Sequence, residues 1–354
     1  MDKWLTTVLV KEIKCGKWQL APLDFLVLIG MTVCGIMLRM TVAGSYPVLE
    51  TYGVYVSAKT GIQVVCYLFD WAIAVLLAVT VFGLTKHKIK AFLAYGITFV
   101  LPVLVSASAM WGLGDSIYLF FALLSFVLFL HEKRNLAVLI YGMSVFFHPY
   151  ALFLLPLYAL AYLQGKIKLL SFLSPLAGVV LHYVLAKGNS FILFVAENAL
   201  VEQRESKLLS YNCPNLFYII GPDKFVNEYE KVAFFFAVGL MAVLVLVLLT
   251  KKLGNTTIEI LEIALFLCLF LPFTLPGMHE RSFLLACVIS LVYGFVKLQR
   301  FWLPIVITTI TYISYSAFFR GESAVPLTGV AFVVLSLIAY MVWQFVDTKK
   351  VSNE

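Results

Sequence analysis

Two short polar motifs interrupt the apolar sequence and carry side chains that are suited to chemistry. In the first, Asp115 follows Trp111 after an intervening Gly-Leu-Gly. An aspartate at this place can cap the next helix by accepting hydrogen bonds from its first backbone donors, which also suits the positive end of the helix dipole. It can equally bind a sugar or a cation, with Trp111 as a stacking platform. The two roles are compatible.

The second motif is His279-Glu280-Arg281, three consecutive ionisable residues just after a Pro-Gly pair. One interpretation is a cluster that pairs with itself at the boundary between lipid and water. The alternative, which we favour, is binding of an anionic phosphate, because the guanidinium offers a rigid fork of donors and a histidine stands beside it.

Other ionisable residues are weaker candidates. Glu50 is the only carboxylate of its loop, and Asp70 lies about ten residues inside an apolar run, where a carboxylate requires a partner or water. For Asp70 a structural hydrogen bond is the simplest interpretation. His148 precedes a proline and is either a hydrogen-bonded histidine at a helix end or a second phosphate contact. Arg204 belongs to a long polar segment whose length suggests a lid.

The composition indicates what kind of protein must position these residues. Of 354 residues, 62% are hydrophobic and 13% are charged, which excludes a water-soluble fold. The net charge of +7 is dispersed in ones, twos and threes between apolar runs. No basic patch forms, so nucleic acid is not expected as a partner. Membrane lipids are the expected partners instead.

Apolar runs of near-spanning length predict an all-α, polytopic bundle of about 10–12 membrane segments. Alternate connections carry the Lys and Arg residues, which marks them as cytoplasmic and places both termini inside. We expect a single transmembrane domain over residues 1–354, with a basic cytoplasmic segment at 1–21 and a long extracytoplasmic loop at 187–231. The polar motifs then all lie on the extracytoplasmic side.

Two apolar runs are too short to cross the hydrocarbon core. Ser116–Leu130 and Ser282–Val296 have 15 residues each, about 22 Å of helix against about 30 Å of hydrocarbon. Their outer ends should sink, which predicts Asp115 and the 279–281 motif at the floor of an outward-facing cavity. The 28-residue run Leu136–Leu163, broken at His148-Pro149, is either two short spans or a re-entrant hairpin.

Several blocks then become recognisable together. They are Tyr67–Asp70, Leu101–Tyr118, Gly142–Phe147, His148-Pro149, Leu154–Pro156 and Met278–Arg281. These blocks resemble bacterial relatives of the glycosylphosphatidylinositol mannosyltransferases, which are GT-C membrane glycosyltransferases. The similarity runs with fair continuity from Tyr67 to Tyr158 and returns near Pro276.

The resemblance implies a GT-C-like fold and inverting transfer of a hexose from a polyprenyl-phosphate donor to a lipid or glycan acceptor outside the cytoplasm. A carboxylate, Glu50 or Asp115, would take the proton of the acceptor hydroxyl, while cationic groups hold the departing phosphate. Expected donor phosphate ligands are His148, His279, Arg281 and Arg204. Expected sugar or acceptor contacts are Trp111, Ser45, Tyr46, Glu280 and Asp70.

One departure from the family pattern concerns the first external loop. Relatives carry an acid between a glycine and a tyrosine there, whereas this chain has Gly44-Ser45-Tyr46. The rival hypothesis is therefore a non-catalytic protein, either a transporter or flippase of lipid-linked sugars or a partner subunit. No metal signature appears, and participation of a divalent cation is left open.

Overall fold

The described part of the chain is a bundle of α-helices. The computed structural model describes residues 13–15, 18–43, 56–112, 114–185, 208–221, 226–250 and 255–347. Strands are confined there to two small pairs: β1 (Ile13–Cys15) with β2 (Trp18–Leu20), and β3 (Ser210–Tyr211) with β4 (Met278–His279). The predicted all-α class is confirmed.

The helix bounds follow the apolar runs closely. The helices are α1 Pro22–Val42, α2 Val56–Thr85, α3 Lys88–Phe99, α4 Pro102–Val105, α5 Asp115–Leu130, α6 Arg134–Phe147, α7 Leu155–Leu163, α8 Leu173–Leu185, α9 Leu216–Ile220, α10 Val226–Thr250, α11 Thr257–Thr274, α12 Leu284–Val296, α13 Trp302–Arg320 and α14 Leu327–Asp347. A π-helical turn, Ser106–Trp111, continues α4, and short 3-10 turns join several of the others.

Membrane-crossing length divides the helices into two groups. Among the described residues, seven helical segments are long and apolar enough to cross a membrane. Five shorter apolar segments accompany them, including Asp115–Leu130 and Leu284–Val296, whose 16 and 13 residues confirm the predicted short runs. In lipid a helix satisfies its own backbone donors and acceptors, which is why apolar runs become helices here.

The break at His148 is present as predicted. Helix α6 ends at Phe147, His148 is extended (φ −154°, ψ 133°), and Pro149 opens a 3-10 turn that leads into α7. The chain then returns beside α6, as the hydrogen bond from the Tyr141 hydroxyl to the Ala151 carbonyl at 2.9 Å shows. His148 is therefore the apex of two short antiparallel helical segments.

A close approach of two backbones joins α6 to α8. A Cβ added to Gly178 would collide with the Gly142 carbonyl oxygen, and one added to Gly142 would collide with Ser174, so neither position has room for a side chain. His182 Nδ1 lies 2.8 Å from the Phe146 carbonyl oxygen, one turn further along the same contact. Small residues that let helices touch are typical of membrane bundles, where apolar area alone drives little association.

The basic connections converge at one end of the bundle. Lys166 Nζ donates to Asn255 Oδ1 at 2.7 Å, and the Lys168 backbone N–H donates to Asn135 Oδ1 at 2.9 Å. Further contacts of the same kind join Lys90 to the Phe295 carbonyl and Lys297 to Glu262. Loops far apart in sequence therefore share one end of the bundle.

The segment 187–231 is only partly a loop. Helix α10 already begins at Val226, so the last six residues of the predicted loop at 187–231 are helical. Residues 208–221 are described and pack at the end of the bundle opposite the basic connections. There Ser210 and Tyr211 pair in parallel with Met278 and His279.

Candidate active site

The turn before α5 places Asp115 at the first position of a helix. Gly112 and Gly114 have φ of 69° and 80°, a left-handed backbone that residues with a Cβ rarely adopt. The cap position is occupied by Gly114, and no side chain caps this helix. Asp115 therefore does not cap the helix through its side chain, although it lies in the first turn, and its carboxylate is turned to another partner.

That partner is Arg281. Its Nη1 lies 3.1 Å from Oδ2 and 3.4 Å from Oδ1 of Asp115, and the two side chains are 3% and 2% exposed. The residues are 166 positions apart in the sequence. The fold thus joins the two motifs singled out above in one buried ion pair, where a charge without a partner would be very costly.

Trp111 packs against the same ion pair. The Arg281 guanidinium lies 4.8 Å from the centre of the indole ring, a distance at which cation and ring attract each other. Tyr315, Phe318 and Phe319 pack around the ring, which is fully buried. A sugar cannot stack on Trp111 in this conformation, which contradicts the expected role as an open platform.

Glu280 and His279 complete the motif in different ways. Glu280 is buried, and its Oε1 lies 3.5 Å from Arg281 Nε. The His279 ring stacks on Tyr211, 4.5 Å between centres, and its backbone N–H donates to the Tyr150 hydroxyl. Burial, and then the nearby Arg281 charge, lowers the pKa of His279 to about 3. Near neutral pH this imidazole is uncharged, so it can bind a phosphate only as a neutral hydrogen-bonding group.

His148 lies next to this group of residues. Its Nδ1 accepts a hydrogen bond from the Tyr150 backbone N–H at 3.1 Å, which assigns the proton of the neutral ring to Nε2. The ring packs against Tyr118 and Tyr150 at 4.8 and 4.3 Å between centres. Within the part of the chain that the structure describes, Nε2 has no hydrogen-bond partner. A phosphate contact from it stays a prediction.

Asp70 belongs to a second buried ion pair. Arg39 donates to its Oδ2 through Nε at 3.0 Å and through Nη2 at 2.7 Å, and both side chains are fully buried. Arg39 also donates to the carbonyls of Gly35 and Phe99. This geometry matches the structural interpretation of Asp70, and it leaves no exposed carboxylate oxygen for a sugar.

A serine connects the two ion pairs. The Ser116 hydroxyl donates to Asp70 Oδ1, and Ser116 directly follows Asp115 at the start of α5. The Arg39–Asp70 pair thereby anchors the turn that carries Asp115. Arg39 was not among the predicted residues, although an arginine within an apolar run of 21 residues is itself a signal that a buried partner exists.

Four predicted site residues lie outside the described residues: Ser45, Tyr46, Glu50 and Arg204. Their roles stay predictions. Among the described residues no group of three or more His, Cys, Asp or Glu side chains could hold a metal ion. Comparison of the chain with protein-family models, with curated proteins and with solved structures gives no match in any of the three.

Replacement of His279 by glutamine is expected to make the protein less sensitive to acid. A histidine in the unfolded chain has a pKa of about 6.5. Below that pH the unfolded chain therefore binds a proton at this position, whereas folded His279, with its lowered pKa, stays uncharged. Stability is therefore lost as the pH falls below that value. The difference in melting temperature between about pH 7.5 and about pH 5 should shrink in His279→Gln. His87→Gln, at an exposed histidine, is the control. Equal acid sensitivity in His279→Gln and the wild type would contradict the assignment.

Proposed function

We propose that this protein is a GT-C-type membrane glycosyltransferase of a bacterial cytoplasmic membrane. In this proposal it transfers a hexose from a polyprenyl-phosphate donor to a lipid or glycan acceptor at the extracytoplasmic face, with inversion at the anomeric carbon. The pathway would be one of cell-envelope or glycolipid synthesis. The basic connections would face the cytoplasm, in keeping with the excess of Lys and Arg in cytoplasmic loops.

The observation that carries the proposal is the Asp115–Arg281 ion pair. Each residue comes from a separate block of the family resemblance, and the fold brings the two blocks into direct contact. His148, from another block, and His279, from the same block as Arg281, both contact Tyr150: its ring packs against His148, and its hydroxyl accepts a hydrogen bond from the His279 backbone N–H. A carboxylate and a guanidinium side by side are the two groups that the proposed reaction needs, one for the proton and one for the phosphate.

The ion pair suggests how donor binding prepares the carboxylate. A phosphate oxygen of the donor competes with Asp115 for the guanidinium fork of Arg281. When Arg281 turns to the phosphate, Asp115 is released to accept the proton of the acceptor hydroxyl. The acceptor oxygen then bonds to the anomeric carbon, the bond from that carbon to the phosphate oxygen breaks, and polyprenyl phosphate leaves. Glu50 is the alternative base.

Two conservative substitutions test the proposal. Asp115→Asn and Arg281→Lys, assayed in membranes with radiolabelled polyprenyl-phosphate mannose and polyprenyl-phosphate glucose, should each lower transfer by about 100-fold or more. Glu132→Gln, at a carboxylate whose side chain is 80% exposed, is the matched control and should retain full transfer. Size-exclusion profiles verify folding. Full transfer in both site variants would refute the assignment.

A second candidate function is a non-catalytic one: transport or flipping of lipid-linked sugars, or service as a partner subunit. The observation in its favour is that Asp115 is already neutralised by Arg281, while Ser45 stands where relatives have an acid. Purified protein separates the alternatives. Release of sugar-free polyprenyl phosphate in detergent supports the enzyme. Movement of the intact lipid-linked sugar across proteoliposomes without any cleavage supports the transporter.

A further inference from the structure

Two buried polar groups beside the ion pair have no hydrogen-bond partner among the described residues. Trp111 and Tyr315 are both 0% exposed, and in the part of the chain that the structure describes neither Trp111 Nε1 nor the Tyr315 hydroxyl makes a hydrogen bond. Buried polar side-chain atoms are satisfied in the large majority of cases, and exceptions commonly mark a functional position or an absent small molecule. Two exceptions in adjoining side chains call for a common explanation.

The two side chains meet at the proposed active site. The rings of Trp111 and Tyr315 are 5.1 Å apart between centres, edge to face at 82°. The Arg281 guanidinium lies over Trp111, and Arg281 is in turn paired with Asp115. Trp111 thus contacts the ion pair that the proposed reaction uses, and Tyr315 contacts Trp111.

The backbone that carries Trp111 is also unusual. Trp111 is the last residue of the π-helical turn Ser106–Trp111, and Gly112 follows in a left-handed conformation. Single π-helical turns are rare and occur frequently at functional sites. This feature is independent of the hydrogen-bond deficit and marks the same position.

The chemistry of the two groups restricts what can bind between them. An indole N–H only donates, so its partner must offer an acceptor oxygen. A phenol both donates and accepts, and the neighbouring Asp115 carboxylate only accepts. A partner that serves all three must both accept and donate hydrogen bonds. A sugar hydroxyl does this, whereas an ionised phosphate diester only accepts.

We propose that Trp111 Nε1 and the Tyr315 hydroxyl bind a ring hydroxyl of the transferred hexose beside Asp115. This inference rests on the proposed function and deepens it. Trp111 thereby contacts the sugar with its N–H edge, in place of the stacking face that Arg281 covers. Tyr315, which the sequence motifs did not indicate, becomes a binding residue that distinguishes the sugar-loaded donor from the sugar-free lipid phosphate.

Tyr315→Phe tests the proposal because it removes one oxygen and keeps the ring. The purified variant should bind polyprenyl-phosphate mannose about fivefold more weakly than the wild type, the usual effect of one neutral hydrogen bond. Its affinity for sugar-free polyprenyl phosphate should be unchanged. Without ligand its melting temperature should be equal to or above that of the wild type, since the removed hydroxyl makes no hydrogen bond to any of the described residues.

Tyr293→Phe is the matched control. Tyr293 is equally buried, but its hydroxyl donates to Glu262 at 2.8 Å near the basic end of the bundle. This variant should melt at a lower temperature and bind both lipids as the wild type does.

Several results overturn the inference. A lower melting temperature for unliganded Tyr315→Phe would show that the hydroxyl serves a structural partner, such as a buried water. Equal weakening for both lipids, or no weakening, would remove the hydroxyl from sugar binding while the proposed function stands. If wild-type protein binds the sugar-free lipid but gains nothing from the sugar, this inference fails. If it binds neither lipid, the proposed function falls with it.

Discussion

Replacement of Arg39 by methionine is expected to lower the free energy of unfolding by about 3–5 kcal/mol, because it leaves the Asp70 carboxylate buried without a cation. Methionine keeps the unbranched, apolar part of the side chain, but it loses the guanidinium that lies 4.3 Å from the centre of the Phe99 ring. Unfolding by SDS in mixed micelles, followed by circular dichroism, gives the value.

The double variant Arg39→Met, Asp70→Asn shows where that loss comes from. Removing the unpaired Asp70 charge as well should recover a large part of the stability. A buried ion pair contributes little net free energy to folding, so replacing both of its members costs much less than replacing one. For two residues in direct contact, the stability change in the double variant should differ strongly from the sum of the changes in the two single variants. If the double variant is as unstable as the sum of both single variants, the two side chains do not form the pair.

Arg281→Met is expected to lower the free energy of unfolding by a similar amount, for the same reason. The substitution leaves Asp115 and Glu280 buried beside a methionine, and a loss of about 3–5 kcal/mol is expected in the same unfolding experiment. Asp115→Asn should be milder, since Arg281 still has Glu280 as a neighbour at 3.5 Å. The double variant Arg281→Met, Asp115→Asn should regain part of the stability lost in Arg281→Met.

Activity separates the two ion pairs. Under the proposed function, Arg281→Met, Asp115→Asn should stay inactive however much stability it regains, because the proton acceptor and the phosphate ligand are both gone. The double variant of Arg39 and Asp70 should recover transfer together with stability, since those residues act only by holding the start of α5. Recovery of transfer in the first double variant would place the chemistry elsewhere, with Glu50 as the next base to test.

The helical layout was predictable from the sequence because it depends on local properties. A continuous apolar run must satisfy its backbone hydrogen bonds within itself in lipid, so hydropathy alone set nearly every helix to within a few residues. The shortness of α5 and α12 and the break at His148-Pro149 followed from counting residues and from the missing N–H of proline. The boundary missed most clearly was Val226, where a polar first turn hid the start of α10.

The partners of the polar residues were not predictable in the same way. The sequence by itself determined that Asp70, Asp115 and Arg281 need partners, since an ionisable group within an apolar region is too costly to bury without a partner or water. Only the tertiary structure decided which partners they have. It paired Asp70 with Arg39 from another helix and Asp115 with Arg281 from 166 residues away.

The orientation of Trp111 shows the same limit for a single side chain. Its position in the motif predicted a stacking platform, but the folded chain covers the ring with Arg281 and with the side chains of Tyr315, Phe318 and Phe319. Pairing and orientation depend on how helices distant in sequence pack, and no local pattern encodes that packing. The sequence thus determined the two motifs and the helices that carry them, and the tertiary structure alone decided that they meet in one buried ion pair.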